Sequence, residues 1–233
     1  MKIGLFGYGK MGKMIDRLAT GKGHQVVARI DGPSAAIPFD QMDVAIDFSQ
    51  PESAVENISQ CLKNRVPVVS GTTGWLADYD RVAELCRSEG GAFLYASNFS
   101  LGVNLFFELN RYLASLMRGV PGYSLEMTEI HHTGKKDAPS GTAITLAEGI
   151  IAEGGYRGWA LGTAGLGEIP IISERTGEVP GTHRIVYKSE VDQIEIQHTA
   201  HNREGFAQGA LLAAEWLVGK QGVFQMKDVL NLR

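Results

Sequence analysis

The chain has 233 residues, of which 44% are hydrophobic and 21% are charged, and its formal net charge is -4. This composition is typical of a globular protein in solution, and the length allows one large domain or two small ones. The weakly acidic balance gives no reason to expect nucleic acid or an anionic membrane as a partner. An anionic ligand must therefore be captured by a local group of cations.

The segments that direct export or membrane insertion are not expected here. Residues 1–6 lead directly into a structural motif, which leaves no room for a signal peptide, and no apolar run approaches the roughly 18 residues of a membrane span. Cys61 and Cys86 lack the spacing of a metal site or a redox motif. Reduced thiols in a cytoplasmic protein are the simplest interpretation.

A glycine motif follows the first predicted strand, residues 2–6. It reads Gly7-Tyr8-Gly9-Lys10-Met11-Gly12 and opens a predicted helix over residues 10–20. A second strand over residues 25–30 ends at Asp31, 19 residues after Gly12. In this arrangement the first glycine makes the tight turn, the second lets the backbone approach a pyrophosphate, and the third allows close helix packing. The pattern predicts a dinucleotide site with Asp31 on a ribose.

Asp31 also bears on the choice of cofactor. A carboxylate repels the 2′-phosphate of NADP, and the following Gly32, Pro33 and Ser34 supply no arginine to offset it. Lys10 and Arg29 are close enough in sequence to approach such a phosphate. We therefore expect NADH to be preferred and NADPH to be accepted as well.

Strands and helices then alternate, with strands predicted over residues 43–48, 67–70 and 92–96 and helices over residues 51–63 and 76–88. This alternation predicts an α/β, Rossmann-type parallel sheet, in which ligands bind at the carboxyl ends of the strands. The residues expected along that rim are Asp31, Asp47-Phe48-Ser49, Gly71-Thr72-Thr73 and Ser97-Asn98-Phe99. Loop residues of these types also form ordinary turns and caps, and for Asp47 that interpretation is equally good.

The second half of the chain has a different pattern. Helices are predicted over residues 101–117, 141–152 and 205–219. Strands are predicted over residues 124–130, 169–173, 182–188 and 193–199. A glycine-rich loop is predicted over residues 154–167. The strands suit an antiparallel or mixed sheet, so we predict a second, α+β domain. The last helix packs back on the first domain. The expected boundaries are residues 1–100 with 206–233, and residues 101–205.

Residues 129–143 concentrate the groups that carry chemistry. His131 and His132 end an alternating strand and should point to opposite faces, and Ser140 can cap the next helix, whose start attracts anions. Lys135 adds a cation between them. Each of these residues taken singly has an ordinary structural interpretation: a packed histidine, a solvent-exposed lysine and a helix cap. Together they indicate a site for a small carboxylate with proton-transfer groups.

The same run, His131-His132-Thr133-Gly134-Lys135-Lys136-Asp137-Ala138-Pro139-Ser140-Gly141-Thr142-Ala143, closely resembles the signature of the dihydrodipicolinate reductases. These enzymes are the 4-hydroxy-tetrahydrodipicolinate reductases of diaminopimelate and lysine biosynthesis. Further likenesses follow in the same order at residues 7–12, 47–49, 71–74, 98–104 and 203–210. The resemblance therefore covers essentially the whole chain.

The resemblance implies a role for each matching residue. His131 would transfer a proton and Lys135 would be a second proton donor, while His132, Gly141 and Thr142 would hold a small anionic dicarboxylate. The cofactor would contact Gly7, Tyr8, Gly9, Lys10, Met11, Gly12, Asp31, Gly71, Thr72, Thr73, Ala96, Ser97, Asn98 and Phe99. Family members are usually homotetramers joined through the sheets of the substrate domain. The link after Asp31 is shorter than in longer members, which leaves the contacts to the adenine side open.

Two other functions remain as alternatives. A homoserine-type dehydrogenase would share the nucleotide domain but would leave the histidine and lysine cluster unexplained. A non-catalytic NADH-sensing module would bind the cofactor without turnover. His198 and His201 raise the idea of zinc, but no cysteine or carboxylate set completes a tetrahedron, so no metal is expected.

Overall fold

The computed structural model describes residues 1–32 and 36–232 and divides into two compact units, Met1–Leu101 with Glu204–Arg233, and Gly102–Arg203. The sequence-based interpretation of the residues after Asp31 falls partly on residues 33–35, outside the described residues. Among the described residues, no helix is both long and apolar enough to cross a bilayer.

The first unit is built on a parallel sheet of six strands in the order β11-β5-β4-β3-β1-β2. Its strands are β1 (Lys2–Phe6), β2 (Gln25–Ile30), β3 (Val44–Asp47), β4 (Val68–Ser70), β5 (Ala92–Tyr95) and β11 (Gly222–Phe224). Its helices are α1 (Lys10–Gly21), α2 (Pro51–Lys63), α3 (Tyr79–Ser88), α6 (Glu204–Leu217) and α7 (Met226–Val229). This architecture confirms the predicted Rossmann-type α/β fold.

Helices cover both faces of this sheet because neighbouring strand residues point to opposite sides. Leu5 packs in one apolar cluster with Ile15 of α1 and Leu211 of α6. The adjacent Phe6 packs in a second cluster with residues of α2, including Ile58. All of these side chains are at most 1% exposed. The sheet is thereby fixed in the middle layer, and the carboxyl ends of its strands share one edge.

The second unit contains a mixed sheet in the order β10-β9-β6-β8-β7. Its strands are β6 (Ser124–His131), β7 (Gly158–Leu161), β8 (Glu168–Arg175), β9 (Gly181–Lys188) and β10 (Gln193–Ala200), and its helices are α4 (Leu101–Met117) and α5 (Gly141–Glu153). Strand β6 runs antiparallel to β9 and parallel to β8. The predicted antiparallel or mixed sheet is confirmed as mixed.

One local prediction differs from the structure, and short elements occur in two places where the sequence analysis predicted none. The span over residues 154–167 was expected to be a loop, but it contains β7, which pairs with β8 while Trp159 packs against the apolar core of the unit. After α6 the chain adds β11 at the sheet edge and the short helix α7. The link before β3 includes a turn of 3₁₀ helix at Phe39–Gln41. All three pieces are short, and their positions depend on partners distant in sequence.

Candidate active site

The glycine motif forms the turn between β1 and α1. Gly7 has a φ of +86°, and a Cβ there would overlap the carbonyl oxygen of Phe48. A Cβ on Gly12 would overlap the carbonyl oxygen of Gly7, whereas Gly9 faces open space. The fold itself therefore requires Gly7 and Gly12. The exposed Gly9, at the N-cap of α1, is left available for close approach of a ligand.

Asp31 follows β2 and accepts a long hydrogen bond from the backbone N–H of Tyr8, at 3.4 Å. Arg29 is paired with Asp16 of α1 through two contacts of 2.6 and 3.1 Å. The Arg29 hydrogen bond is the main reason why the pKa of Asp16 is lowered. Of the two cations that the sequence placed near a 2′-phosphate, Arg29 is thus engaged elsewhere, whereas Lys10 is exposed.

Asp47 at the end of β3 is fully buried and accepts hydrogen bonds from four side chains. Ser49 Oγ donates at 2.6 Å, Thr72 Oγ1 at 2.7 Å, Ser70 Oγ at 2.8 Å and Asn57 Nδ2 at 3.3 Å. Burial raises the pKa of this carboxyl despite the donors. Asp47 therefore ties the loop after β4 to the loop after β3, a structural role of the kind that its alternative interpretation gave it.

The loops after β3 and β5 meet through an aromatic contact, and the loop after β4 lies against the same Phe48 ring. The rings of Phe48 and Phe99 are 5.7 Å apart, and a Cβ on Gly71 would overlap the Phe48 ring. Asn98 Oδ1 accepts the backbone N–H of Ser100 at 2.9 Å. The residues predicted to contact the cofactor lie in the first turn of α1 and in the loops after β1, β2, β4 and β5, at the edge formed by the carboxyl ends: Gly7 to Gly12, Asp31, Gly71, Thr72, Thr73, Ala96, Ser97, Asn98 and Phe99.

In the second unit, strand register gathers polar side chains from three strands. Glu129 of β6 lies opposite His183 of β9 on one side and Ser173 of β8 on the other. Two residues further along, His131 lies opposite Arg175. Because side chains alternate along a strand, all five project from the same face of the sheet.

Glu129 is the most buried member of this group, with 0% of its surface exposed. Its carboxylate accepts the backbone N–H of Ser140 at 3.1 and 3.0 Å, Ser173 Oγ at 2.8 Å and Arg175 Nη2 at 3.0 Å. Burial alone would raise the pKa of Glu129, but these donors outweigh it and the pKa is lowered. The carboxylate is therefore held ionised.

His131 is 8% exposed and lies against Glu129 and His183. Its Nδ1 is 3.4 Å from Glu129 Oε2, without hydrogen-bond alignment, and its ring centre is 5.2 Å from that of His183. Burial lowers the pKa of His131, while the charge of Glu129 opposes that shift. Burial lowers the pKa of His183 further, to about 4. His183 is thus neutral near pH 7.

Ser140 caps α5 as predicted, since its Oγ accepts the backbone N–H of Ala143 at 3.2 Å. The same Oγ is 3.2 Å from His183 Nε2, so the hydroxyl proton is available to that nitrogen. A Cβ on Gly141 would meet nothing within 4 Å. The beginning of α5, Gly141 and Thr142, is therefore a cradle with the partial positive charge of a helix start.

Lys135 and His132 complete the set predicted from the sequence. Lys135 Nζ donates to both carboxylate oxygens of Asp137 at 2.8 Å, which lowers the pKa of Asp137. His132 lies after the end of β6, with its Nε2 3.4 Å from Arg203 Nη2. The two adjacent histidines thus have different partners.

Sequence reasoning missed Ser173, Arg175 and His183 as members of this group. Each lies on a strand more than forty positions from Glu129, and only the pairing of β8 and β9 with β6 brings them together. Arg175 also donates to the carbonyl oxygens of Asp137 at 2.6 Å and Lys135 at 3.3 Å. The alternation of side chains along each strand shows which residues share a face of the sheet. It does not show which residues of neighbouring strands lie opposite one another.

Glu129, His131 and His183 offer ligand atoms that all lie within 4.8 Å of one another, as a metal site would need. However, the Glu129 carboxylate already accepts hydrogen bonds from Ser140 and Ser173, and the guanidinium of Arg175 neutralises it. A metal cation at this position would be repelled by the positive charge of Arg175. We therefore interpret the group as a hydrogen-bonded network.

Solved structures of similar fold include reductases and dehydrogenases. The dipicolinate-bound dihydrodipicolinate reductase from Paenisporosarcina sp. TG-14 is 22% identical and covers 97% of each chain with a TM-score of 0.77. A probable dehydrogenase from Thermotoga maritima is 12% identical and covers 100% of this chain and 93% of its own, with a TM-score of 0.59. The fold is thus the two-part α/β fold found in these oxidoreductases.

The sequence comparisons define the family. Residues 1–99 match the family described as "Dihydrodipicolinate reductase, N-terminus" and residues 102–230 match its C-terminus. The 4-hydroxy-tetrahydrodipicolinate reductase of Christiangramia forsetii is 51% identical over 99% of this chain and 98% of its own. The chain belongs to the dihydrodipicolinate reductase family, which confirms the resemblance seen in the sequence.

Proposed function

We propose that this protein reduces 4-hydroxy-tetrahydrodipicolinate, by way of dihydrodipicolinate, to tetrahydrodipicolinate with NAD(P)H, in diaminopimelate and lysine biosynthesis. The observation that carries the proposal is the buried ring of His131 beside Lys135 and the start of α5, in a chain that matches the family along both halves. A homoserine-type dehydrogenase or an NADH-sensing module would leave this group without a task.

The residues of the second unit have complementary tasks. A bound nicotinamide would supply the hydride for C4 of the cyclic imine, and the reduced ring would then need a proton. His131 then donates the proton that balances the hydride, because an imidazole with an ordinary pKa of roughly 6.5 transfers protons near neutral pH. Lys135 neutralises a substrate carboxylate and acts as the second proton donor. Its Nζ lies 2.8 Å from the Asp137 carboxylate.

The substrate is a small dicarboxylate held by His132, Gly141 and Thr142. One carboxylate lies at the start of α5, where the helix dipole favours an anion. The cradle around Gly141 has room for it, since a Cβ at this position meets nothing within 4 Å.

The cofactor lies along the edge of the first unit. Its pyrophosphate would be held by Gly7, Tyr8, Gly9, Lys10, Met11 and Gly12. Its nicotinamide side would be held by Gly71, Thr72, Thr73, Ala96, Ser97, Asn98 and Phe99. Asp31 binds the adenosine ribose. NADH is preferred to NADPH because the Asp31 carboxylate repels a 2′-phosphate while Arg29 is committed to Asp16. NADPH is also accepted, with Lys10 as its cation.

The two parts of the chain divide these tasks. Residues 1–100 and 206–233 bind the dinucleotide, and residues 101–205 bind the substrate and provide the contacts of a homotetramer. The protein works in the cytoplasm, with Cys61 and Cys86 as buried thiols rather than a disulfide.

The test is steady-state reduction of the product of the preceding synthase, with NADH and NADPH in turn and homoserine oxidation as the rival reaction. We expect tetrahydrodipicolinate to form, with a lower KM for NADH. His131→Gln should lower kcat by about 10² to 10⁴ and leave NADH binding unchanged. NADH binding without turnover by the wild type would instead support a sensing module.

A further inference from the structure

Glu129 lies between the two parts of the substrate site. Its Oε2 is 3.4 Å from Nδ1 of His131, and both of its oxygens accept the backbone N–H of Ser140, the cap of α5. One carboxylate therefore faces the proton-transfer ring and the anion-binding helix start at the same time.

We propose that Glu129 is a positioning residue for the proposed reduction: its carboxylate orients His131 from the Nδ1 side and holds the first turn of α5 in a fixed relation to that ring. This inference rests on the proposed function. It assigns Nε2, the ring nitrogen opposite Nδ1, as the atom that His131 presents for proton transfer.

The neighbours of Glu129 keep its carboxylate in place. A buried carboxylate is stable only when it is paired and hydrogen-bonded, and Arg175 and Ser173 supply both conditions at 3.0 and 2.8 Å. Arg175 extends the arrangement to the loop after β6 by donating to the carbonyl oxygens of Lys135 and Asp137. Glu129 and Arg175 thus connect His131, the Lys135 loop and the start of α5.

The charged and titratable groups facing His131 come from every element around it. They are Glu129 on β6, Lys135 and Asp137 in the loop after β6, Arg175 on β8 and His183 on β9. Glu129 is the strongest influence that favours the protonated ring, while Lys135 and Arg175 oppose it. Removing the charge of Glu129 leaves those cations in place, so the pKa of His131 should fall further.

The experiment uses the full-length protein and the variants Glu129→Gln, Glu129→Asp and Ser173→Ala. Histidine labelled with ¹³C is followed by NMR as a function of pH, and the His131 signal is assigned by its loss in His131→Gln. Ser173→Ala is the matched control, because it removes one hydrogen bond from the Glu129 carboxylate but keeps its charge, while Arg175 and the backbone N–H of Ser140 still hold the carboxylate in place. Steady-state pH profiles and NADH titrations are measured on the same samples.

For Glu129→Gln we expect a lower titration midpoint of His131, and a basic limb of the kcat profile shifted to lower pH in parallel. The acid form is present below the pKa, so a lower pKa brings the loss of activity at lower pH. The value of kcat should fall by up to about 10²-fold, as misplaced reacting groups do. NADH affinity should not change, and Ser173→Ala should titrate like the wild type.

An unchanged His131 midpoint in Glu129→Gln would overturn the proposal, and so would an equal shift in Ser173→Ala. If Glu129→Gln does not fold, Glu129→Asp takes its place: it keeps the negative charge but is one methylene shorter, which withdraws the carboxylate from His131. A lowered midpoint then supports the proposal, and an unaltered midpoint overturns it. A wild type that forms no tetrahydrodipicolinate would refute the proposed function, while the titration would still test the role of Glu129.

Discussion

Gly181 at the start of β9 faces Nε2 of His131, and a Cβ on Gly181 would lie 3.1 Å from this nitrogen and 3.3 Å from Cδ2 of the same ring. These separations are tighter than ordinary van der Waals contact, so a side chain at position 181 would have to displace the imidazole. The nitrogen on the other side of the ring faces Glu129. A glycine and a carboxylate thus confine the ring from opposite sides.

Gly181→Ala should therefore reduce turnover, and because Gly181 has a φ of +156°, the variant should also be less stable than the wild type. A shift of a few tenths of an ångström in the ring should lower kcat by about 10-fold, less than the roughly 10²-fold that accompanies a displacement of 1 Å. Steady-state kinetics and NADH titration check this, and affinity for NADH should be unaffected. Gly158→Ala is the control in the same sheet, where the Cβ would meet Glu168 at an ordinary 3.9 Å. Equal kcat in both variants would contradict the prediction.

Lys135 and Lys136 are neighbours in one loop but should differ in effect. Lys135 is half-buried and bonded to Asp137, whereas Lys136 is exposed. We expect Lys135→Ala to raise KM for the substrate and lower kcat, because it removes both a cation for a carboxylate and a proton donor. Lys136→Ala should behave like the wild type in the same assay. Unaltered kinetics for Lys135→Ala would remove this lysine from the site.

Two glycines of the motif should respond differently to alanine. Gly7→Ala should unfold at lower temperature. The positive φ alone costs about 1 to 3 kcal/mol for a residue with a side chain, and the overlap of the new Cβ with Phe48 adds to this cost. Gly9→Ala meets no protein atom within 4 Å, so thermal unfolding should change little. Its NADH affinity should nevertheless fall, because the added methyl group lies where the pyrophosphate approaches. Wild-type NADH affinity in Gly9→Ala would place the pyrophosphate elsewhere.

The buried histidines should make the protein less stable in acid. The pKa of His183 is about 4 in the folded state, against the ordinary 6.5 in the unfolded chain. Between these values the unfolded state binds the extra proton, so the free energy of unfolding should fall as pH drops from 6.5 toward 4. One such group contributes at most about 1.4 kcal/mol per pH unit.

Urea unfolding at pH 7 and pH 5 measures this dependence. His183→Gln should show a smaller difference between the two pH values than the wild type, whatever its absolute stability. Some dependence should remain, because burial also lowers the pKa of His131 and His198. His201→Gln, at an exposed position, is the control. A pH dependence in His183→Gln equal to that of the wild type would refute the assignment.

The sequence by itself determined the parallel sheet and the position of the glycine turn. Apolar strands alternated with amphipathic helices, and local turn chemistry gave most boundaries closely: α4 was predicted over residues 101–117 and spans Leu101–Met117. The group around His131 was also visible, because His131, Lys135 and the cap Ser140 lie within a dozen positions of one another. Periodicity and capping are local properties, so they can be identified without knowledge of the fold.

Tertiary structure alone decided what surrounds those residues. Strand register brought Ser173, Arg175 and His183 to Glu129, and it placed Gly181 against the His131 ring. The short strands β7 and β11 likewise depend on neighbours that supply their hydrogen bonds. A pattern with period two shows which residues share a face, but the pairing across strands depends on the packing of the whole sheet. The sequence therefore identified the groups that carry the chemistry, and the fold determined what holds them in place.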